Sequence, residues 1–129
     1  MNAIKFTDNS AIKGREDQFV TITIDAQKAL ESWRTSIFSF EWLDQDGKIK
    51  PAAQLSEKEQ EKRAAVENTI TQSEDIQKPV LGLGLNDNIE IGSGRAQFLT
   101  LIAKGLQEIP VHIPKSNIDD FKALNVAVE

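Results

Sequence analysis

The chain has 129 residues, the length of one domain, and a compact domain of that size buries roughly two thirds of the surface exposed when unfolded. It has no cysteine and one histidine, His112, which excludes disulfides, thiolate metal sites, cysteine nucleophiles and histidine-rich metal centres. Twenty acidic against fifteen basic residues give a formal charge of -5, so strong direct binding to nucleic-acid phosphates is not expected. No apolar run approaches the roughly 20 residues that span a bilayer, and "MNAIKFTDNSAIKGRED" lacks the apolar core of a signal peptide. The reading is therefore a soluble, cytoplasmic, acidic protein without a membrane partner.

Residues 1–18 are polar and aperiodic, which predicts a mobile arm with a short strand at Ala3 to Phe6. In "FVTITI", Val20, Ile22 and Ile24 alternate with Phe19, Thr21 and Thr23, the period of a strand. Asp25 then caps a helix from Ala26 to about Thr35, whose apolar stripe is Ala26, Ala29, Leu30, Trp33 and Ile37. Trp33 belongs to that stripe and is assigned to the core rather than to base stacking. Alternation next predicts a strand with Phe38, Phe40 and Trp42 on one face, followed by a turn at Asp44 to Gly47. Asp44, Asp46 and Gly47 do not have calcium-loop spacing, because the glycine belongs at the sixth loop position.

Ser56 and Glu59 stand in the S-x-x-E arrangement of a helix start, and Glu59 with Arg63 forms an i,i+4 pair. With apolar contact limited to Ala65, Val66 and Ile70, the first half of this helix is expected to stand in water. After the polar linker "TQSEDIQKP", "PVLGLGL" and the run from Ile89 form a hairpin turning at Asn86 and Asp87. Gly82 and Gly84 share a face, which predicts a close neighbour, a helix or a ligand, against that backbone. Arg95 to Lys104 is a helix carrying Phe98, Leu101 and Ile102, with Gly105 as its stop. "EIPVHIP" is a short strand on which His112 is an ordinary strand residue, and Ser116 with Asp119 opens a last helix bearing Ile118, Phe121 and Leu124.

The stretch with most chemistry is "IEIGSGRAQF". A strand, a glycine turn and a helix N-terminus make an anion cradle, because the first helical amides lack partners and carry a partial positive charge. Gly92 and Gly94 permit left-handed or closely approached backbone, Ser93 adds a hydroxyl, and Arg95 adds a cation. The turn is neither a dinucleotide fingerprint, since Gln97 stands where a third glycine belongs, nor a G-x-x-x-x-G-K-[ST] loop. A cation in the first helical turn is misplaced by roughly 0.3–1 kcal/mol. Its compensating partner is either Glu90 or Asp87 of the chain itself, or a bound phosphate or acidic group from another molecule.

The run from Lys78 to Ile113 resembles the core of the ParB/sulfiredoxin-like superfamily. That core has a strand after proline, a hairpin, a "G-R-H-R" or "G-E-R-R" turn opening a helix, and a "G-x-x-x-I-P-V" strand. Gly94, Arg95, Phe98, Gly105, Ile109, Pro110 and Val111 take the corresponding places. In that family the turn binds nucleotide phosphates, and its members serve in plasmid and chromosome partition, in nuclease or nucleotide hydrolysis and in thiol repair. The resemblance carries phosphate binding onto Gly94 and Arg95 alone. Ala96 and Gln97 stand where a histidine or second arginine is expected, and the sulfiredoxin cysteine is absent, which implies a degenerate member without the reactive groups.

The fold expected is a single α/β domain of α+β type over residues 19–129, a small mixed sheet with about four helices whose family-like part is 78–113. The function expected is a non-catalytic ParB-like binding module of a DNA-maintenance, plasmid or mobile-element system. It acts through protein partners and binds a phosphate or nucleotide at Gly92, Ser93, Gly94 and Arg95, without cofactor or metal. The alternative is a nucleotide or nucleic-acid phosphohydrolase, with Glu90 as base or metal ligand and Arg95 stabilising charge. A homo-oligomer burying the "FSFEW" face is a third possibility.

Overall fold

The alternation of "FVTITI" becomes strand β2 (Phe19–Asp25), which lies antiparallel beside β6 (Glu108–Pro114) with Ile22 opposite Val111 and Ile24 opposite Ile109. The computed structural model describes residues 4–128; Ala3, where the N-terminal strand was expected to begin, lies outside them, as does Glu129. Successive strand residues point to opposite faces, so Ile109, Val111 and Ile113 face the core while Pro110, His112 and Pro114 face the other side. On its far edge β6 pairs parallel with β4 (Val80–Leu83), and β4 pairs antiparallel with β5 (Ile89–Ser93), giving the mixed order β2-β6-β4-β5. The outer edge of β2 is occupied by the C-terminal tail, where the Asp25 amide donates to Val126 O and the Val128 amide to Thr23 O. This is the expected single domain of α+β type, with four α-helices and two sheets among the described residues. No helix among those residues is long and apolar enough to cross a membrane.

Helix α1 (Ala26–Trp33) begins where Asp25 accepts the Lys28 amide at 2.9 Å, and it buries Ala26, Ala29, Leu30 and Trp33. Helix α2 (Glu57–Thr71) packs on α3 (Arg95–Ala103), which is buried along most of its circumference, including Phe98, Leu99, Leu101 and Ile102. Gly105, at φ +97°, ends the α3 turn as expected. The last helix, α4 (Ile118–Ala123), inserts Phe121 into the core but receives no side-chain cap, so the expected role of Ser116 is not taken up.

Four further expectations need correction. Residues 36–42 are not a strand but a run of tight turns, in which Ser39 N–H donates to Ser36 O and Leu43 N–H to Ser39 O. The winding drops Trp42 into the core and leaves Phe38 and Phe40 at the surface, because a turn of about three residues cannot keep a two-residue stripe on one face. The Asp44–Gly47 turn does form, closing on the Leu43–Ile49 bridge. Of the N-terminal arm, residues 6–12 are packed on the domain rather than free. Strand β1 (Phe6–Thr7) pairs parallel with β3 (Ile76–Gln77), and Asn9 and Ile12 are buried.

The start of α2 is the third. Ser56 caps it through the Glu59 amide, but the Glu59 side chain turns inward, 4% exposed, instead of capping in return. It accepts Trp42 Nε1–H at 2.9 Å and faces Lys62 Nζ at 3.4 Å, while Arg63 pairs with Glu67 rather than with Glu59. Lastly, a Cβ on Gly82 would meet nothing within 4 Å, and one on Gly84 would meet only the side chains of Asn88 and Glu90. No helix is packed on either glycine, and the close neighbours of Gly84 are two side chains of its own hairpin.

Burial alone would raise the Glu59 pKa, but the Trp42 hydrogen bond and the Lys62 and Arg95 charges outweigh it, so the carboxyl lies below its usual range. A depressed carboxyl contributes stability that is present above its unfolded pKa and lost as pH falls through the folded one. Trp42→Phe removes the indole donor from a buried carboxylate, and urea unfolding at neutral pH should show a loss on the order of 1–3 kcal/mol. The gap between variant and wild type should narrow on acidification through the carboxylate range.

Candidate functional site

The turn after β5 has one position that the backbone reserves for glycine. Gly94 sits at φ +83°, ψ 33° and begins α3 without any side-chain cap. A Cβ there would come within 3.2 Å of Pro79 Cα, so both conformation and close approach disfavour a side chain. Gly92 differs: it is an extended residue within β5, and a Cβ would make only ordinary contact, 3.6 Å from Val80 O. Ser93 ends the strand, and its hydroxyl is already engaged, 3.3 Å from Asn9 Nδ2 and 3.4 Å from Asn9 Oδ1.

Arg95 finds its compensation inside the chain, but with neither Glu90 nor Asp87. Its Nη1 lies 3.6 Å from Glu41 Oε1, and its guanidinium carbon lies 5.1 Å from the Phe38 ring centroid and 5.9 Å from that of Trp33. The Arg95 Nε is buried without an acceptor. The turns of residues 36–42 are what carry Glu41 and Phe38 to the start of α3, a placement that no local spacing in the sequence announces.

Two hollows flank this arginine. The larger, about 660 Å³, lies between α2 and the β5–α3 turn and is lined by Gly92 to Gln97, Lys62, Val66, Asp75, Ile76 and Gln77, among others. The amides of the first α3 residues have no intrahelical acceptor, and those residues line this hollow together with Lys62, whose ammonium lies 3.4 Å from the Glu59 carboxylate, also in the lining. The smaller hollow, about 330 Å³, is lined by Ile37, Phe38, Leu85, Ile91, Glu90 and Arg95, with Ser36 and Asn88 beside them. Its rim is apolar and exposed: Ile37 is 79%, Phe38 44%, and Leu85 fully in solvent, with Phe40 nearby in sequence at 68%.

The candidate residues therefore divide. Gly92, Ser93, Gly94 and Arg95 come together at the larger hollow, whereas Glu90 faces the smaller one. There Glu90 accepts Ser36 Oγ–H at 2.7 Å and Asn88 Nδ2–H at 3.1 Å, so it supports structure and is not aimed at the amides of α3. His112 is 3% exposed; its Nε2 accepts the Asn9 amide at 3.1 Å and its Nδ1 lies 3.4 Å from Thr21 Oγ1. Burial first, then the Lys78 charge, lower the His112 pKa against the opposing pull of Asp8. Among the described residues, no group of three or more His, Asp or Glu side chains is placed to hold a metal ion.

Sequence reasoning missed Lys62, Asp75, Gln77, Asn9 and Glu41. Lys62 had a legible signal, three residues after Glu59 on one helical face. Asn9 had none, since its segment has no periodicity, and the alternation around Glu41 pointed to a strand where the chain makes turns.

Comparison with protein-family models, with curated proteins and with solved structures found no match.

The two glycines give a paired prediction. Gly94→Ala forces an L-residue into left-handed backbone and should cost about 1–2 kcal/mol of stability, more if Pro79 cannot yield. Gly92→Ala should change it by less than about 0.5 kcal/mol or raise it. Urea unfolding of both variants is the measurement; equal losses would contradict the assignment of Gly94 alone as the obligatory glycine.

Proposed function

We propose that the chain is a non-catalytic ParB-like binding module of a DNA-maintenance, plasmid or mobile-element system, which works by docking a protein partner. The observation that carries the docking role is the exposed apolar rim of Ile37, Phe38 and Leu85 around a hollow also lined by Arg95 and Glu90. Large apolar side chains gathered at one surface are the usual mark of a protein contact, and an aromatic beside an arginine is the usual energetic centre of one. Kinship with ParB-like proteins is supported by the order hairpin, left-handed glycine, helix and returning parallel strand, which runs through β4, β5, Gly94, α3 and β6. The placement of this chain in a DNA-maintenance system rests on that resemblance.

A phosphate or nucleotide held at residues 92–95 is the second element of the reading. The uncapped α3 N-terminus opening on a hollow with Lys62 favours it. The side chain of Arg95 adds less than its position in the sequence promises, because Glu41 and two aromatic rings already hold it. The phosphohydrolase reading has weaker support, since Glu90 is hydrogen-bonded by Ser36 and Asn88 in the other hollow.

The test begins with crosslinking from a photoreactive residue at position 85 and purification of the captured protein. Its affinity for the chain carrying Ile37→Asp and Leu85→Asp should fall by at least about thirtyfold, the worth of an interface centre. Thermal unfolding should barely move, because both side chains are in solvent. Unchanged affinity would sink the docking reading, and concentration-dependent dimers in light scattering would assign the rim to a second copy instead. For the anion, calorimetric titration with nucleotides should show binding that weakens about tenfold or more in Lys62→Glu.

A further inference from the structure

We propose that the neutral ring of His112 is the release point of a proton-sensitive clasp that holds the segment Phe6–Ile12 against the Ser93 end of the glycine turn. The clasp is a short chain of hydrogen bonds meeting at Asn9. Its backbone amide donates to His112 Nε2 at 3.1 Å, its Nδ2 donates to Lys78 O at 2.9 Å and to Ser93 Oγ at 3.3 Å, and its Oδ1 accepts the Ala11 amide at 2.8 Å. Asn9 and His112 are each 3% exposed, so neither end has water as a ready substitute.

The rest of the hold is short pairing, a partly buried Phe6 against the core and the Lys78–Asp8 ion pair, 3.3 Å. The β1–β3 pairing spans two residues, with Ile76 N–H donating to Lys5 O and Lys78 N–H to Thr7 O, and so short a ladder is marginal on its own. Ser10 adds hydrogen bonds to Gln77 Oε1 at an exposed position, and Ile12 adds an apolar anchor.

Protonation strikes at the centre of this arrangement. An imidazolium has N–H on both nitrogens, so the Nε2 acceptor becomes a donor facing the Asn9 amide donor at 3.1 Å. A buried amide is then left without a partner and a buried charge without solvent. The charged groups facing the ring are Lys78, from the β3–β4 connection, and Asp8, from the segment itself; the third neighbour, Thr21 of β2, is a hydroxyl. Asp8 Oδ1 is 3.8 Å from Nε2 but is 67% exposed and already 3.3 Å from Lys78 Nζ, so its pull on an imidazolium is shared and screened.

The sign follows. With the folded pKa depressed, the clasp is complete above the ordinary histidine range and lost as pH falls through the lowered value. Release frees the Ser93 hydroxyl at the margin of the larger hollow, so the docking of the segment and the occupancy of that hollow are coupled.

The single histidine of the chain makes the test clean. Native-state hydrogen exchange of the full chain is measured as protection factors between pH 8 and pH 5. The amides of Asn9, Ile76 and Lys78 should lose protection by about tenfold or more, the worth of one buried hydrogen bond, while Val111 and Ile102 keep theirs. In His112→Gln, whose amide oxygen is an acceptor at every pH, the loss should vanish. Protection in wild type that is independent of pH, or a loss that persists in His112→Gln, overturns the proposal. Should that variant fail to fold, ring titration by NMR in the wild type decides: its midpoint must lie below the ordinary histidine value and coincide with that of Asn9 exposure. A raised or non-coincident midpoint also overturns it.

Discussion

Strand β6 is the constraint on which the remainder of the structure depends. It accepts β2 along one edge and β4 along the other, so its backbone is committed on both sides, with one face buried and His112 buried on the other. Ile109, Val111 and Ile113 pack into the common core with α3 and α1, while His112 on the reverse face receives Asn9. Because α3 must run from β5 back to a strand parallel to β4, the glycine turn is placed at one end of the sheet, beside α2. The parallel return is thus what sets the glycine turn and the N-terminal segment next to each other.

The charge chemistry around that turn is largely spent on holding the domain together. Glu59 is buried under the indole of Trp42, Arg95 lies between Glu41 and the faces of Phe38 and Trp33, and Glu90 is tied to Ser36 and Asn88. Each of these groups would be an attractive catalytic candidate if viewed without its partner. With the partners in place, the larger hollow keeps the first residues of α3 beside the Lys62–Glu59 pair, and the smaller one an apolar rim.

The same three contacts explain why the segment between α1 and α2 matters more than its irregular backbone implies. It has no long regular element, yet it delivers Trp42 to Glu59, Glu41 and Phe38 to Arg95 and Ser36 to Glu90, and leaves Phe40 in solvent. Tight turns are suited to this, since each residue leaves the backbone in a new direction, where a strand would offer only two. The exposed rim is therefore a by-product of the geometry that buries Trp42, and the two are linked physically.

Much of the architecture was legible in local pattern. Alternation in "FVTITI" and "PVLGLGL", the Asp25 and Ser56 caps, the apolar stripe through Trp33 and the Gly105 stop each act within a few residues, so the chain itself determined β2, the β4–β5 hairpin, α1, α2 and α3. Gly94 was readable too, because left-handed backbone selects glycine wherever the fold is set. Only the tertiary structure decided that Glu59 is buried, that Arg95 answers to Glu41, that Phe38 and Phe40 face solvent, and that Asn9 closes on His112 and Ser93. Those contacts join residues up to 103 positions apart, and their energies depend on burial and direction, which no local spacing encodes.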